Sequence, residues 1–137
     1  MSDEIRARCE AIEGCYEFLL GYAGQGLAGD QGSGHVRVYL SRAVEALTGL
    51  ADAYAAAVKR ENLQPAEHYQ AFLAVLDRDA RDSVAAIQLV LAQPTLSSQL
   101  IDNLNASIHL RALLTDLFLI DEILKPQQAQ TNSVSTS

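Results

Sequence analysis

The chain has 137 residues, of which 49% are hydrophobic and 20% are charged, and its formal net charge is −7. This length corresponds to a single domain that can bury a core of its own. The negative charge disfavours nucleic-acid partners, which need clustered Lys and Arg residues, and it equally disfavours anionic membrane surfaces.

The N-terminal region predicts neither export nor membrane insertion. It carries charges where a secretory signal peptide has an apolar run, and no window offers the roughly 20 apolar residues of a membrane span. Cys9 and Cys15 are the only cysteines, and on one helix they project too far apart to form a disulfide. Two reduced thiols are typical of a reducing compartment, so we expect a cytoplasmic protein.

The first two predicted helices, A and B, have apolar residues at alternating spacings of three and four, which indicates a face directed at a core. Helix A extends from about Ser2 to Ala23, and its apolar face consists of Ile5, Cys9, Ile12, Tyr16, Leu19 and Ala23. Helix B extends from about Gly34 to Glu61, and its face consists of Val36, Leu40, Ala43, Leu47, Leu50, Tyr54 and Ala57.

A glycine-rich connection from Gly24 to Gly34 joins these helices and contains GQGLAG, the letters of a dinucleotide fingerprint. A true fingerprint follows a strand and opens a helix, whose N-terminus binds the pyrophosphate. Here a helix precedes the glycines, and further residues separate them from helix B. We interpret the segment as a flexible connection; the alternative is a loop that orders over a partner or an anion near His35.

Two further helices, C and D, follow in the second half of the chain. Helix C opens at Pro65 and ends at Pro94, and its face consists of Tyr69, Leu73, Leu76, Ala80, Ser83, Ile87 and Val90. Helix D ends at Lys125, before Pro126, and the residues that can cap its start are Thr95, Ser97 and Ser98.

The short B-to-C and C-to-D connections make consecutive helices antiparallel neighbours. The sequence therefore predicts an all-α fold, an up-down-up-down antiparallel four-helix bundle over residues 1–125. The polar segment over residues 126–137 has no apolar period, and we expect a disordered C-terminal tail.

The histidines lack the spacing that a metal centre in a bundle requires. Di-iron bundles place Glu three residues before His, but none of His35, His68 and His109 has Glu at that position, and no two histidines are four residues apart. The sequence therefore predicts no metal, no cofactor and no catalytic residue.

His109 shares a polar stripe of helix D with Asp102, Asn105 and Asp116. A general base steered by a carboxylate is one interpretation of this stripe, and a solvated or interface surface is the other. We favour the second, because the sequence places no nucleophile beside His109.

Arg111 lies near the middle of helix D, level with the acidic run of helix C in an antiparallel bundle. At this level the core-facing positions of helix C are occupied by the small residues Ala80 and Ser83. We expect Arg111 to pair with Asp79 or Asp82. The pair is either structural or an anchor for a small anionic ligand in a cavity beside it.

Helix D has more apolar residues than one core-facing stripe needs. At about 100° per residue, a broad arc suited to the core consists of Leu110, Leu113, Leu114, Leu117, Phe118, Ile120 and Leu124. A second, narrower arc consists of Ile101, Ile108, Ala112, Leu119 and Ile123, and Phe18 of helix A extends it.

An apolar stripe bordered by polar residues is typical of an interface. A second copy of the chain is the simplest partner, with a different protein as the alternative. If helix D lies at the centre of the fold, both arcs are internal instead.

These patterns favour a non-enzymatic cytoplasmic protein that forms a homodimer and acts through protein–protein contacts as an adaptor, assembly chaperone or regulator. The alternative is a small-ligand binder or an enzyme that uses a polar layer around Arg111, lined by His109, Tyr16 and Ser83. An exposed aliphatic stripe on a packed core favours the first function, and a polar pocket at the level of Arg111 favours the second.

Overall fold

A computed structural model of the protein describes the backbone of residues 3–24 and 33–136, with side chains over residues 3–22 and 35–124. The described residues form no strand, and their six helices are α1 (Asp3–Gly24), α2 (Ser33–Leu47), α3 (Leu50–Arg60), α4 (Ala66–Leu91), α5 (Ser98–Ala106) and α6 (Ile108–Thr136). The predicted all-α class is therefore confirmed over this part of the chain. The two interpretations of the glycine-rich connection concern residues 25–32, which lie outside it.

The prediction of one continuous helix B is wrong, because the chain breaks at Gly49 between α2 and α3. Gly49 has φ +83°, in the left-handed region, where a residue with a side chain costs about 1–2 kcal/mol. Both segments nevertheless lie against the same core, and every residue of the predicted face is buried. Apolar spacing alone does not distinguish one helix from two that share a core.

Helix D is likewise two helices, separated at Ser107. This residue has an extended backbone (φ −63°, ψ 140°) that ends α5, and its hydroxyl accepts a hydrogen bond from the backbone N–H of Leu110 at 3.5 Å, at the start of α6. Of the three predicted caps, Ser97 caps α5 and accepts from the N–H of Leu100 at 3.1 Å.

The last helix, α6, has its C-terminal bound at Thr136, beyond the predicted end before Pro126. The side chains from residue 125 onward lie outside the described part of the chain. The disordered polar tail over residues 126–137 therefore stays a prediction.

The core lies between α1 and α4, which contact most of the other helices. α1 packs against α2, α3 and α5, while α4 packs against α2, α3, α5 and α6. On α1 the buried face includes Cys15 and Tyr22 in place of the half-buried Tyr16, since the Tyr22 hydroxyl donates to the carbonyl oxygen of Leu96 at 2.8 Å. No helix within the described residues has the length and apolar character needed to cross a membrane.

Two arginines fix helix ends to neighbouring helices. Arg8 of α1 donates to the carbonyl oxygens of Ala46 at 2.9 Å and Thr48 at 2.7 Å, at the end of α2. Arg37 of α2 donates to the carbonyl oxygen of Gln93 at 2.7 Å, just after α4. The last carbonyls of a helix have no partner within it and carry partial negative charge, so these contacts stabilise the arrangement of α1, α2 and α4.

Candidate interaction surface on helix α6

The outward face of α6 carries a row of aliphatic side chains, Ile108, Ala112, Leu119 and Ile123, which we name the α6 stripe. These residues lie within about 60° of one another around the helix. Ile108 is 74% exposed, Leu119 50% and Ile123 43%, and Ala112 is half-buried. The alternative in which the second apolar arc is internal therefore does not hold for the three large residues.

Two residues predicted to belong to this surface lie elsewhere. Ile101 is fully buried, because the break at Ser107 places it on α5 and removes its angular relation to α6. Phe18 is half-buried and stacks on Tyr39 of α2, with ring centroids 4.2 Å apart and an angle of 12° between the planes. Conversely, Phe118 was predicted to enter the core but is 59% exposed.

Leu119 and Ile123 also form one wall of a groove of about 300 Å³ between α6 and the start of α4. Tyr69 and Phe72 of α4, both half-buried, line the opposite side. Tyr69 belongs to the predicted core face of helix C, whereas Phe72 does not. Their spacing of three residues is a signal for a shared helix face, so this aromatic wall was detectable.

On one flank of the stripe the charged residues are Arg111 and Glu122, both exposed, whereas Asp116 on the opposite flank is buried. Among the described side chains the ion pairs are Arg8–Glu4 and Arg81–Asp77, and the His109 ring lies 4.0 Å from Asp82. Neither Arg111 nor Glu122 belongs to one of them.

The expected pairing of Arg111 with Asp79 or Asp82 is therefore absent. Arg111 lies about 140° around α6 from Asp116, the residue that faces Asp79. Asp82 lies instead beside His109, with its Oδ2 4.0 Å from Nδ1.

A pair of carboxyl groups, Asp116 of α6 and Asp79 of α4, occupies the level where a cation was expected. Asp116 is buried, and its Oδ2 has no hydrogen-bond donor among the described residues. Burial raises the pKa of Asp116 to about 7, and the neighbouring Asp79 carboxyl contributes to the rise. A buried carboxyl group beside a second carboxyl group does not attract an anion, so this layer does not suit an anionic ligand.

A second aspartate of α6, Asp121, is half-buried and has hydrogen-bond donors. The hydroxyl of Tyr54 on α3 donates to its Oδ1 at 2.6 Å, and the Cys9 thiol of α1 lies 3.9 Å from its Oδ2. The same thiol is 3.3 Å from the Tyr54 hydroxyl, so the network joins three helices. Asp121 is not among the residues that the sequence predicted to be functional.

Neither cysteine is suited to nucleophilic chemistry. Both are buried, and burial raises the pKa of the Cys9 thiol to about 11 and that of Cys15 to about 12. A thiolate is the reactive form, and almost none forms near neutral pH. Within the described part of the chain, no three His, Cys, Asp or Glu side chains group in a way that could hold a metal ion.

No protein-family model matches the chain, and neither a curated protein nor a solved structure is significantly similar to it.

Proposed function

We propose that the protein is a non-enzymatic interaction protein that self-associates through the α6 stripe. The observation that carries the proposal is the exposure of Ile108, Leu119 and Ile123 on one face of one helix. Each Å² of apolar surface that a partner covers contributes about 25 cal/mol, and such a face bordered by polar residues is typical of an interface. An adaptor, assembly chaperone or regulator would act through contacts of this kind.

The helix contacts support a further part of this proposal. Both α2 and α3 pack against α4, and both also pack against α1. We infer that α2 and α3 together occupy the position of one helix in an up-and-down four-helix bundle, and that α5 and α6 together occupy the position of another. The buried free thiols of Cys9 and Cys15 support a reducing compartment, which we propose is the cytoplasm.

The ligand-binding alternative has weaker support. It needs Arg111 within a polar layer of the core, but Arg111 is exposed. The buried Asp116 beside Asp79 adds negative charge to the same level, which opposes an anionic ligand.

The test compares three leucine-to-glutamate variants by sedimentation velocity and circular dichroism. Leu119→Glu places a charge in the stripe, Leu89→Glu places one at a leucine of α4 that is 67% exposed, and Leu117→Glu places one at a fully buried position. We expect the wild type and Leu89→Glu to dimerise, Leu119→Glu to be a folded helical monomer, and Leu117→Glu to unfold.

Two outcomes would overturn the proposal. One is a wild-type chain that stays monomeric at high micromolar concentration. The other is a Leu119→Glu variant that dimerises as tightly as Leu89→Glu.

A further inference from the structure

We propose that two copies of the chain pair through their α6 stripes in antiparallel orientation, with the two-fold axis beside Thr115. In this pair Arg111 of each chain contacts the partner's Glu122. The inference rests on the proposed self-association and adds the orientation and register of the contact.

The arrangement of large and small residues in the stripe favours this register. Ile108 and Ile123 lie at the two ends, and Ala112 and Leu119 lie inside them, with the same midpoint next to Thr115. An antiparallel copy centred on that midpoint places Ile108 opposite the partner's Ile123. It also places the small Ala112 opposite the partner's Leu119, which fills the space that alanine leaves.

The charges beside the stripe indicate the same orientation. Arg111 and Glu122 are on one flank, about 20° apart around the helix and about 16 Å apart along its axis. Within one chain they are too distant to pair, and neither belongs to an ion pair among the described side chains.

A two-fold axis perpendicular to α6 turns each flank toward the same flank of the partner. Arg111 then lies about two residues from the level of the partner's Glu122, an offset of about 3 Å that a flexible arginine side chain spans. The contact occurs twice in each dimer, because an isologous interface repeats every pair.

A parallel pair would lack both kinds of complementarity. Residues of the same number would then share a level, so Ala112 would lie opposite alanine and Leu119 opposite leucine. Arg111 and the partner's Glu122 would be separated along the axis by about 16 Å. Electrostatic complementarity therefore selects the antiparallel orientation.

The first test is charge reversal, measured as the dimer dissociation constant by sedimentation equilibrium at low salt. Arg111→Glu sets two pairs of glutamates against each other, and Glu122→Arg sets two pairs of arginines. We expect each single variant to raise the dissociation constant by about tenfold, and the double variant Arg111→Glu/Glu122→Arg to return it to within about threefold of the wild-type value.

The outcomes separate this inference from the proposed function. A wild-type chain that never dimerises overturns the proposed self-association. A wild-type dimer whose double variant is as weak as the single variants overturns only the antiparallel register. Unfolding does not confuse the result, since both charged residues are exposed and circular dichroism reports the helix content of each variant.

Disulfide trapping is the second test. Thr115→Cys lies beside the proposed axis and should form a covalent dimer on mild oxidation. Ile108→Cys is the matched control, because its counterpart in the partner is about 22 Å away along the axis. The native thiols are buried and give no background. Equal yields from the two variants would contradict the antiparallel pair and indicate a parallel one.

Discussion

The two aspartates that α6 directs inward, Asp121 and Asp116, occupy contrasting surroundings. Asp121 accepts a hydrogen bond from the Tyr54 hydroxyl at 2.6 Å and lies beside the Cys9 thiol. Asp116 is beside another carboxyl group, that of Asp79, and its Oδ2 lacks a donor among the described residues. One helix therefore carries a half-buried carboxyl group with two donors and a buried one whose Oδ2 has none among the described residues.

The contrast appears in the causes that shift the pKa of each carboxyl group. Burial raises the pKa of both carboxyl groups. At Asp121 the hydrogen bonds from Tyr54 and Cys9 oppose that rise, whereas at Asp116 the Asp79 carboxyl adds to it. Burial alone thus does not determine the free-energy cost of ionising an aspartate, because the neighbouring groups decide whether its charged form is stabilised.

The largest expected effect follows removal of the donor at Asp121. Tyr54→Phe leaves that carboxyl group without its short hydrogen bond, and we expect a loss of about 1.5–3 kcal/mol in the free energy of unfolding, the range for bonds to charged groups. The matched control is Tyr22→Phe, which removes a bond from a buried tyrosine to the neutral carbonyl of Leu96 and should cost about 1 kcal/mol. Urea unfolding at neutral pH measures both, and equal losses would contradict the special role of Asp121.

The next effect is a gain in stability at Asp116. Its pKa is about 7 in the folded chain against an ordinary value of 3.8. At a pH between these two values, the folded state therefore holds a proton that the unfolded state has released. The stability of the wild type should therefore fall as the pH rises toward 7 and then level off. Asp116→Asn cannot ionise, and we expect it to be about 1–3 kcal/mol more stable than the wild type at pH 8 and nearly equal to it below pH 4.

The control for this gain is Asp121→Asn, compared by urea unfolding across the same pH range. Because Tyr54 and Cys9 already stabilise the Asp121 carboxylate, this variant should gain less at pH 8. A gain as large as that of Asp116→Asn would show that burial alone governs both sites.

The helices were predicted better from the sequence than their interruptions were. Every residue that apolar spacing assigned to the face of α2 and α3, from Val36 to Ala57, is buried, although Ala46, Ala51 and Val58 are buried as well, because both segments contact one core. The breaks depend on local chemistry that spacing ignores, namely the left-handed backbone of Gly49 and the capping hydroxyl of Ser107. Both residue types are recognised signals of helix ends, so the information was present in the sequence.

The surroundings of α6 were less predictable, since they depend on how the helix is rotated against its neighbours. The sequence placed the acidic segment of α4 and the middle of α6 at one level, and contacts such as that of Asp82 with His109 agree with this. The rotation of α6 nevertheless directs Asp116, and not Arg111, toward Asp79. Similarly, the stacking of Phe18 on Tyr39 joins residues on different helices, and the spacing within one helix cannot reveal such a contact.

The smallest effect is expected from a substitution that gives Asp116 a donor, as Asp121 already has. Asp79→Asn replaces the neighbouring carboxyl group with an amide that can donate a hydrogen bond to Asp116. We expect the pKa of Asp116 to fall below 7 while staying above its ordinary value, because burial is the larger cause of the rise. The gain in stability at pH 8 should be about 1 kcal/mol.

NMR titration of the Asp116 side-chain carboxyl carbon measures this shift directly. Asp82→Asn is the matched control, because Asp82 lies on α4 like Asp79 but is exposed and faces His109. This variant should leave the pKa of Asp116 unchanged. If Asp79→Asn also left that pKa unchanged, Asp79 would have no part in raising it. The two aspartates of α6 would then differ only because Asp121 has donors.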